Sequence, residues 1–297
     1  MKTFKPVKAA VIGCGMISDI YLKNCVQAFN ILDMVGCSDI VPERAAKRAE
    51  QYGIRHMTNE EILADPEIEI VVNLTYPTAH YEVSKAALLA GKHVHTEKMM
   101  AITLDQARDL VRISREKGLH ITAAPDTFLG ARLQTARRIL DSGLIGTPIS
   151  ADMTLARGYR HADWKQEDEK RFAFCPGGSI LNDVGCYYLT ALVSMLGSIE
   201  AVTGFYDTYE PARIFRHPKN PSYGKEMVYE APNNFAGGLR FACGTLCSVM
   251  MTSETAGGGS HFAIYGTLGT IQLDDPNEFG GPLLVNLRGG SGPLPIP

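Results

Sequence analysis

Residues 7–22 read VKAAVIGCGMISDIYL. The apolar run ahead of Gly13 is a short strand, and the apolar residues of MISDIYLKNCVQAF after it fall at helical spacing. Between them, Gly13-Cys14-Gly15-Met16-Ile17-Ser18 has the spacing G-x-G-x-x-G, with Ser18 at the third glycine. In such a turn Gly13 permits the tight bend and Gly15 lets the backbone approach a pyrophosphate. Backbone N–H groups at the helix start, around Met16 and Ile17, then face its negative charge. Ser18 is small enough for the helix to pack closely on the strand. Asp39 closes the next strand, in CSDIVPER. A carboxylate there accepts hydrogen bonds from adenosine ribose hydroxyls and repels a 2′-phosphate. The motif predicts a bound dinucleotide, NAD(H), with NADP(H) as the alternative because Arg44 is near. The competing reading of Asp39 is a cap for the helix that begins at Pro42.

Outward from this motif, short strands alternate with helices. PERAAKRAEQYG carries Pro42 near its start and Gly53 just past its end, as helices do. NEEILAD is a short helix. IEIVVNLT is a continuous apolar strand, as in a sheet covered on both faces. TAHYEVSKAALLAGK, HVHTEK, TLDQARDLVRISREKG and LHITAAP continue the alternation, which predicts a parallel, doubly wound sheet of Rossmann type over residues 1–124. Over residues 125–297 the texture changes. ARLQTARRILDSGLIG is a helix, TPISADMTLARG a strand, and GGSILNDVGCYYLTALVSMLG one long helix. EAVTGFYDTY, NNFAGGLRFA, TLCSVMMTSET, HFAIYGT and GTIQLDD then follow as strands without helices between them. The expected fold class is therefore α/β, with an α+β second domain built on a mostly antiparallel open sheet. NLRGGSGPLPIP reads as loop.

Composition narrows the function classes. The 297 residues are 45% hydrophobic and 21% charged, with a formal net charge of −3. A mildly acidic chain without a basic run carries no electrostatic footprint for nucleic acid or for an anionic membrane. No apolar stretch reaches the ~20 residues of a membrane-spanning helix. MKTFKPVKAAVIGCG runs straight into the glycine motif and reads as a first strand, not a leader. Seven scattered cysteines form no CxxC pair and no zinc pattern, so they read as reduced thiols of a cytoplasmic protein. No His/Asp/Glu cluster has metal-ligand spacing.

Four segments together resemble the Gfo/Idh/MocA oxidoreductase family: GCGMISDIYL, NLTYPTAHYEVSKAALLAGKHVHTEKMMAIT, LDSGLIGTPIS and GGSILNDVGCYYL. The resemblance implies a Rossmann domain followed by a substrate domain whose open sheet mediates dimer or tetramer contacts. It implies that Thr75, Pro77, His80, Glu97 and Lys98 line the cofactor cleft, with Lys98 beside the nicotinamide and the substrate oxygen. A lysine beside NAD⁺ has its charged form disfavoured, and it can hydrogen-bond the reacting hydroxyl or carbonyl. Relatives carry Glu-Lys-Pro, in which the Lys–Pro bond can be cis. Met99 replaces that proline here, and a cis bond to Met costs ~2.5–4 kcal/mol, so the sequence leaves the geometry at Lys98 open.

Many relatives also show GGG-x-x-x-D-x-G-x-H. Asp183 matches the Asp, Ser179 stands at the third glycine, and Tyr187 stands at the His, as in the glucose–fructose oxidoreductase and dihydrodiol dehydrogenase branches. Four residues apart on a helix, Asp183 and Tyr187 share a face. A phenol has an ordinary pKa of about 10, and nearby positive charge favours phenolate. Tyr187 is thus a candidate acid/base and Asp183 a candidate for orienting substrate or Lys98, whereas Tyr188 reads as core. Asp126, Thr127, Phe128, Tyr159, Arg160, His161 and Trp164 are lesser candidates, more structural than functional. Relatives continue past the sheet with helices and a last strand. The expected function is hydride transfer between NAD(H) and a sugar, polyol or related small alcohol. An NAD-dependent glycosidase and a non-catalytic NAD(H) or sugar sensor are the rivals.

Overall fold

A computed structural model describes residues 5–158 and 177–296. The chain divides into two compact units, Met1–Ala124 and Pro125–Pro297. Tyr159, Arg160, His161 and Trp164 lie outside the described residues.

The first unit alternates β1 (Val7–Ile12), α1 (Ser18–Gln27), β2 (Leu32–Ser38), α2 (Pro42–Tyr52), β3 (Arg55–His56) and α3 (Asn59–Ala64). It continues with β4 (Ile70–Asn73), α4 (Pro77–Leu89), β5 (His93–Thr96), α5 (Leu104–Lys117) and β6 (Ile121–Ala123). The strands form one parallel sheet in the order β3-β2-β1-β4-β5-β6. Alternation along β1 explains why both faces are covered. Ala9 and Val11 pack with Leu22, Cys25, Ala45 and Ala49 under α1 and α2. Ala10 and Ile12 pack on the other side with Ile62, Leu88 and Leu110. The helices start and stop where local chemistry says they should. Thr58 with Glu61 and Thr103 with Gln106 form capping boxes. Gly53 and Gly118 end α2 and α5 in the left-handed conformation. Strand order reverses between β1 and β4, so their carboxyl ends flank the crevice where ligands of such sheets bind.

In the second unit a 3-10 turn (Thr127–Leu129) leads into α6 (Ala131–Asp141) and β7 (Pro148–Ala156). A π-helical turn (Leu181–Gly185) opens α7 (Cys186–Leu196). The remaining strands are β8 (Ile199–Asp207), β9 (Ala212–Ile214), β10 (Glu226–Val228), β11 (Asn234–Phe241), β12 (Leu246–Thr252), β13 (Ser260–Gly266), β14 (Gly269–Leu273), β15 (Leu283–Leu287) and β16 (Leu294–Ile296). Eight of them form a sheet in the order β16-β15-β14-β13-β7-β12-β11-β8. All its pairs are antiparallel except β7 with β12. One face carries Met153, Leu155, Leu239, Phe241, Met251, Phe262 and Ile264 against Tyr188 and Leu192 of α7. The pairing puts Phe205, Ala236, Met250, Thr154 and His261 side by side on the other face.

Several expectations need correction. The mostly antiparallel sheet holds one parallel pair, because β12 returns beside β7 after a long excursion through α7, which no local pattern announces. The loop expected over residues 286–297 instead contributes the end of β15 and the edge strand β16. Pro295 is tolerated there because an edge strand pairs on one side only. The small hairpin β9–β10 was not anticipated, since three-residue strands carry almost no periodic signal. The long helix expected over residues 177–197 does not begin as an α-helix: its first turn is π.

Candidate active site

The glycine loop follows β1 and meets the segment that follows β4. Gly13 has φ +103°, and a Cβ on it would lie 2.6 Å from the Leu74 carbonyl carbon. No other residue fits there. A Cβ on Gly15, by contrast, would meet nothing within 4 Å. Its backbone therefore borders open space, and Met16 and Ile17 beside it are exposed. No side chain caps the start of α1. An open glycine and an uncapped helix start are what a pyrophosphate would need, so these residues fit the dinucleotide. Ser18 does more than stay small. Fully buried, it donates to the Gly15 carbonyl (2.6 Å) and accepts from Arg48 Nε (3.2 Å), tying the loop to α2.

Asp39 is half-buried and braces the same loop. Its Oδ2 accepts the Cys14 N–H at 2.6 Å and its Oδ1 the Val41 N–H at 2.8 Å. Each carboxylate oxygen has a second acceptor direction, so ribose hydroxyls fit as well. Arg44 is exposed.

Beyond β4, the fully buried Asn73 organises the next segment. Its Oδ1 accepts from Thr75 N (3.2 Å) and Thr75 Oγ1 (2.7 Å). Its Nδ2 donates to the His80 carbonyl and to Ser84 Oγ. Pro77 opens α4, where its missing N–H costs nothing. His80 is also fully buried, with Nδ1 2.6 Å from the Met99 carbonyl oxygen and Nε2 2.9 Å from that of Thr75. Burial pushes its pKa below the ordinary imidazole value; the two carbonyls and Glu97 push the other way, and Lys98 adds to the lowering.

At the end of β5, Glu97 Oε1 accepts from Tyr21 of α1 (2.8 Å) and Oε2 from the Lys98 N–H (2.9 Å). Lys98 itself is half-buried, and the Lys98–Met99 peptide is cis. Thus Gly13, Thr75, His80, Glu97 and Lys98 are linked within one unit by a chain of short contacts. Asn73, Tyr21 and Arg48 belong to it, and sequence reasoning missed them. A polar residue ending the apolar run IEIVVN was the one available signal, for Asn73.

In the second unit, Asn182 Nδ2 donates to the Gly177 and Gly178 carbonyls, and Ser179 Oγ accepts the Asn182 N–H. Ser179 stands at φ +132°, a region that favours glycine. Asp183 sits within the π turn and Tyr187 in the first turn of α7; both are half-buried. The wider π turn changes the angular step between them from that of a uniform α-helix, and such turns are frequent at functional sites. Gly185 lets this turn press on the sheet, since a Cβ there would lie 2.7 Å from Met251 Sδ. Tyr188 is fully buried, and burial raises its phenol pKa. Thr127 is buried as well, and Phe128 packs against the core of this unit. Among the described residues no group of three or more His, Cys, Asp and Glu side chains could hold a metal ion.

Comparison with known proteins agrees with this architecture. Residues 7–124 match an oxidoreductase family with an NAD-binding Rossmann fold, and residues 133–272 match the GFO/IDH/MocA C-terminal domain. The chain is 27% identical over 267 residues to 1,5-anhydro-D-fructose reductase of Ensifer adhaerens, covering 88% of this chain and 74% of that one. It is 28% identical over 168 residues to inositol 2-dehydrogenase/D-chiro-inositol 3-dehydrogenase of Lactiplantibacillus plantarum, covering 55% of this chain and 47% of that one. The chain thus spans about half the length of some of its curated relatives and most of others. Levoglucosan dehydrogenase in complex with NADH and L-sorbose shares the fold at TM-score 0.83 and 22% identity, covering 99% of this chain and 80% of that one. With one of its two domains matched in each unit, this chain belongs to the Gfo/Idh/MocA oxidoreductase family.

Proposed function

We propose that the chain is a dehydrogenase that transfers a hydride between NAD(H) and the hydroxyl or carbonyl carbon of a sugar, polyol or related small alcohol. The observation that carries this reading is the built loop at residues 13–18: Gly13 jammed against Leu74, Gly15 open, and Asp39 braced at its flank. Gly13, Gly15, Met16, Ile17, Asp39, Thr75 and Pro77 contact the dinucleotide in this reading. Glu97 holds the backbone of Lys98. When bound, NAD⁺ supplies the hydride acceptor.

Lys98 hydrogen-bonds the reacting oxygen and stabilises the charge that develops there. Tyr187 takes the hydroxyl proton during oxidation and returns it during reduction. Asp183 orients the substrate. The substrate class follows the named relatives, which act on an anhydro-sugar and on inositols. The face of the large sheet away from α7 carries Phe205 and Met250 exposed and suits association with a second copy. The free thiols among the described residues suit a reducing, cytoplasmic setting.

The test is NADH formation, followed by absorbance, across a panel of aldoses, anhydro-sugars, inositols and dihydrodiols, with NADP⁺ in parallel. Turnover of at least one member with NAD⁺ is expected. Calorimetry showing that neither dinucleotide binds would end the proposal.

A further inference from the structure

We propose that His80 is a positioning residue: a proton on its Nδ1 holds the Met99 carbonyl and, through it, the backbone that carries Lys98. The inference rests on the reading of Lys98 given above and adds the device that sets it. His80 belongs to α4, whereas its two contacts belong to the segments that follow β4 and β5. One buried ring thus spans the two segments that bear Thr75 and Lys98.

Chemistry limits what the ring can do. A carbonyl only accepts, so a ring nitrogen binds it only while carrying a hydrogen. A neutral imidazole carries one. It can therefore hold one of the two carbonyls, and the shorter contact, 2.6 Å from Nδ1 to Met99, selects the Nδ1–H tautomer. The 2.9 Å approach of Nε2 to Thr75 becomes attractive when a second proton arrives. That proton would place a charge in a fully buried ring, which is costly. The charged side chains that act on the ring are Glu97, which favours the second proton, and Lys98, which opposes it.

The hold lies between two other anchors of this backbone. Past Met99, Met100 and Ala101 pack on the apolar cluster under α4 and α5. Ahead of it, Glu97 binds the Lys98 N–H. His80 closes the span between these two anchors.

Two measurements test the proposal. The first is the tautomer of His80 in the full chain, read from ring ¹⁵N resonances assigned through the backbone, which needs no variant and no turnover. A protonated Nδ1 with a bare Nε2 above neutral pH is expected; a bare Nδ1 overturns the proposal. The second compares His80→Asn, whose amide nitrogen lies near the place of Nδ1, with His80→Gln, whose amide nitrogen lies near that of Nε2. His80→Asn should keep a kcat roughly ten-fold or more above that of His80→Gln, with KM for NAD⁺ similar in both, since a small misplacement of a reacting group costs rate before it costs binding. Equal kcat values, or Gln above Asn, overturn the proposal. If the wild-type chain turns over no panel member, the dehydrogenase reading fails while the tautomer still decides the state of His80.

Discussion

Lys98→Met keeps most of the length of the side chain and removes the ammonium. In the proposed chemistry that lowers turnover by roughly 10²-fold or more while NAD⁺ affinity stays within a few-fold. Initial rates and calorimetry separate the two. Asp39 answers differently, because its carboxylate serves the protein as well as the ribose. Asp39→Ala leaves the Cys14 N–H without its acceptor, a loss of about 1–3 kcal/mol where the group stays buried. Affinity for NAD⁺ and for NADP⁺ should therefore both fall, instead of one exchanging for the other, and calorimetric titration of the variant with each dinucleotide checks this. His80 supplies a pH signature. Its folded pKa lies below the ordinary value of 6.5, so unfolding takes up a proton. The stability tied to its neutral form is complete above that value and is lost as pH falls through the folded pKa. His80→Asn should show a shallower fall in melting temperature than the wild type between neutral pH and about pH 5. A parallel fall in both proteins would contradict the lowered pKa. Of these residues, Gly13, Gly15 and Asp39 were legible because a short spacing between a strand and a helix has few other meanings. Asn73 and Tyr21 were not, because their partners lie on other elements.

At the level of elements, the π turn ahead of α7 depends on Gly185. A methyl added there would meet Met251 Sδ at 2.7 Å and Leu181 Cδ1 at 2.9 Å, so these side chains must repack or the turn must shift, and overpacking costs up to about 1–3 kcal/mol. Gly185→Ala should lower the melting temperature, and because the turn carries Asp183 it should raise KM for substrate more than KM for NAD⁺. The hairpin β9–β10 shows a different kind of anchoring. Arg213 pairs with Glu254 at 2.7 Å, both nearly buried, and its guanidinium stacks 4.3 Å from the centroid of the Tyr229 ring. Nothing in ARI or EMV marks a strand; the ion pair and the stacked ring tie that hairpin to residues distant in sequence. The helices and the long strands were readable from caps and periodicity. Short strands, the π turn and the Pro-bearing edge strand β16 were not, since each owes its conformation to a neighbour.

For the whole molecule, the proposed association with a second copy makes a prediction on the face of the eight-stranded sheet away from α7. Phe205 is 88% exposed in strand β8, and Met250 lies in the same cross-strand row through Ala236. Under that proposal the wild type is a multimer by light scattering, and replacing Phe205 and Met250 together by Glu should shift its molar mass to that of a monomer. The melting curve of the monomer should remain cooperative, since neither side chain belongs to the core beneath. A single mass for both proteins would remove this face from consideration. No helix among the described residues is long and apolar enough to cross a membrane. The linear order of residues determined the alternation of strand and helix in the first unit, the glycine turn and the carboxylate that follows the second strand, because those depend on contacts between residues near in the chain. Tertiary structure alone decided that β7 lies parallel to β12, that Asn73 and His80 gather the segments after β4 and β5, and that Tyr21 reaches Glu97. Those contacts join elements far apart in sequence, and only packing chooses which distant side chains share a buried hydrogen bond.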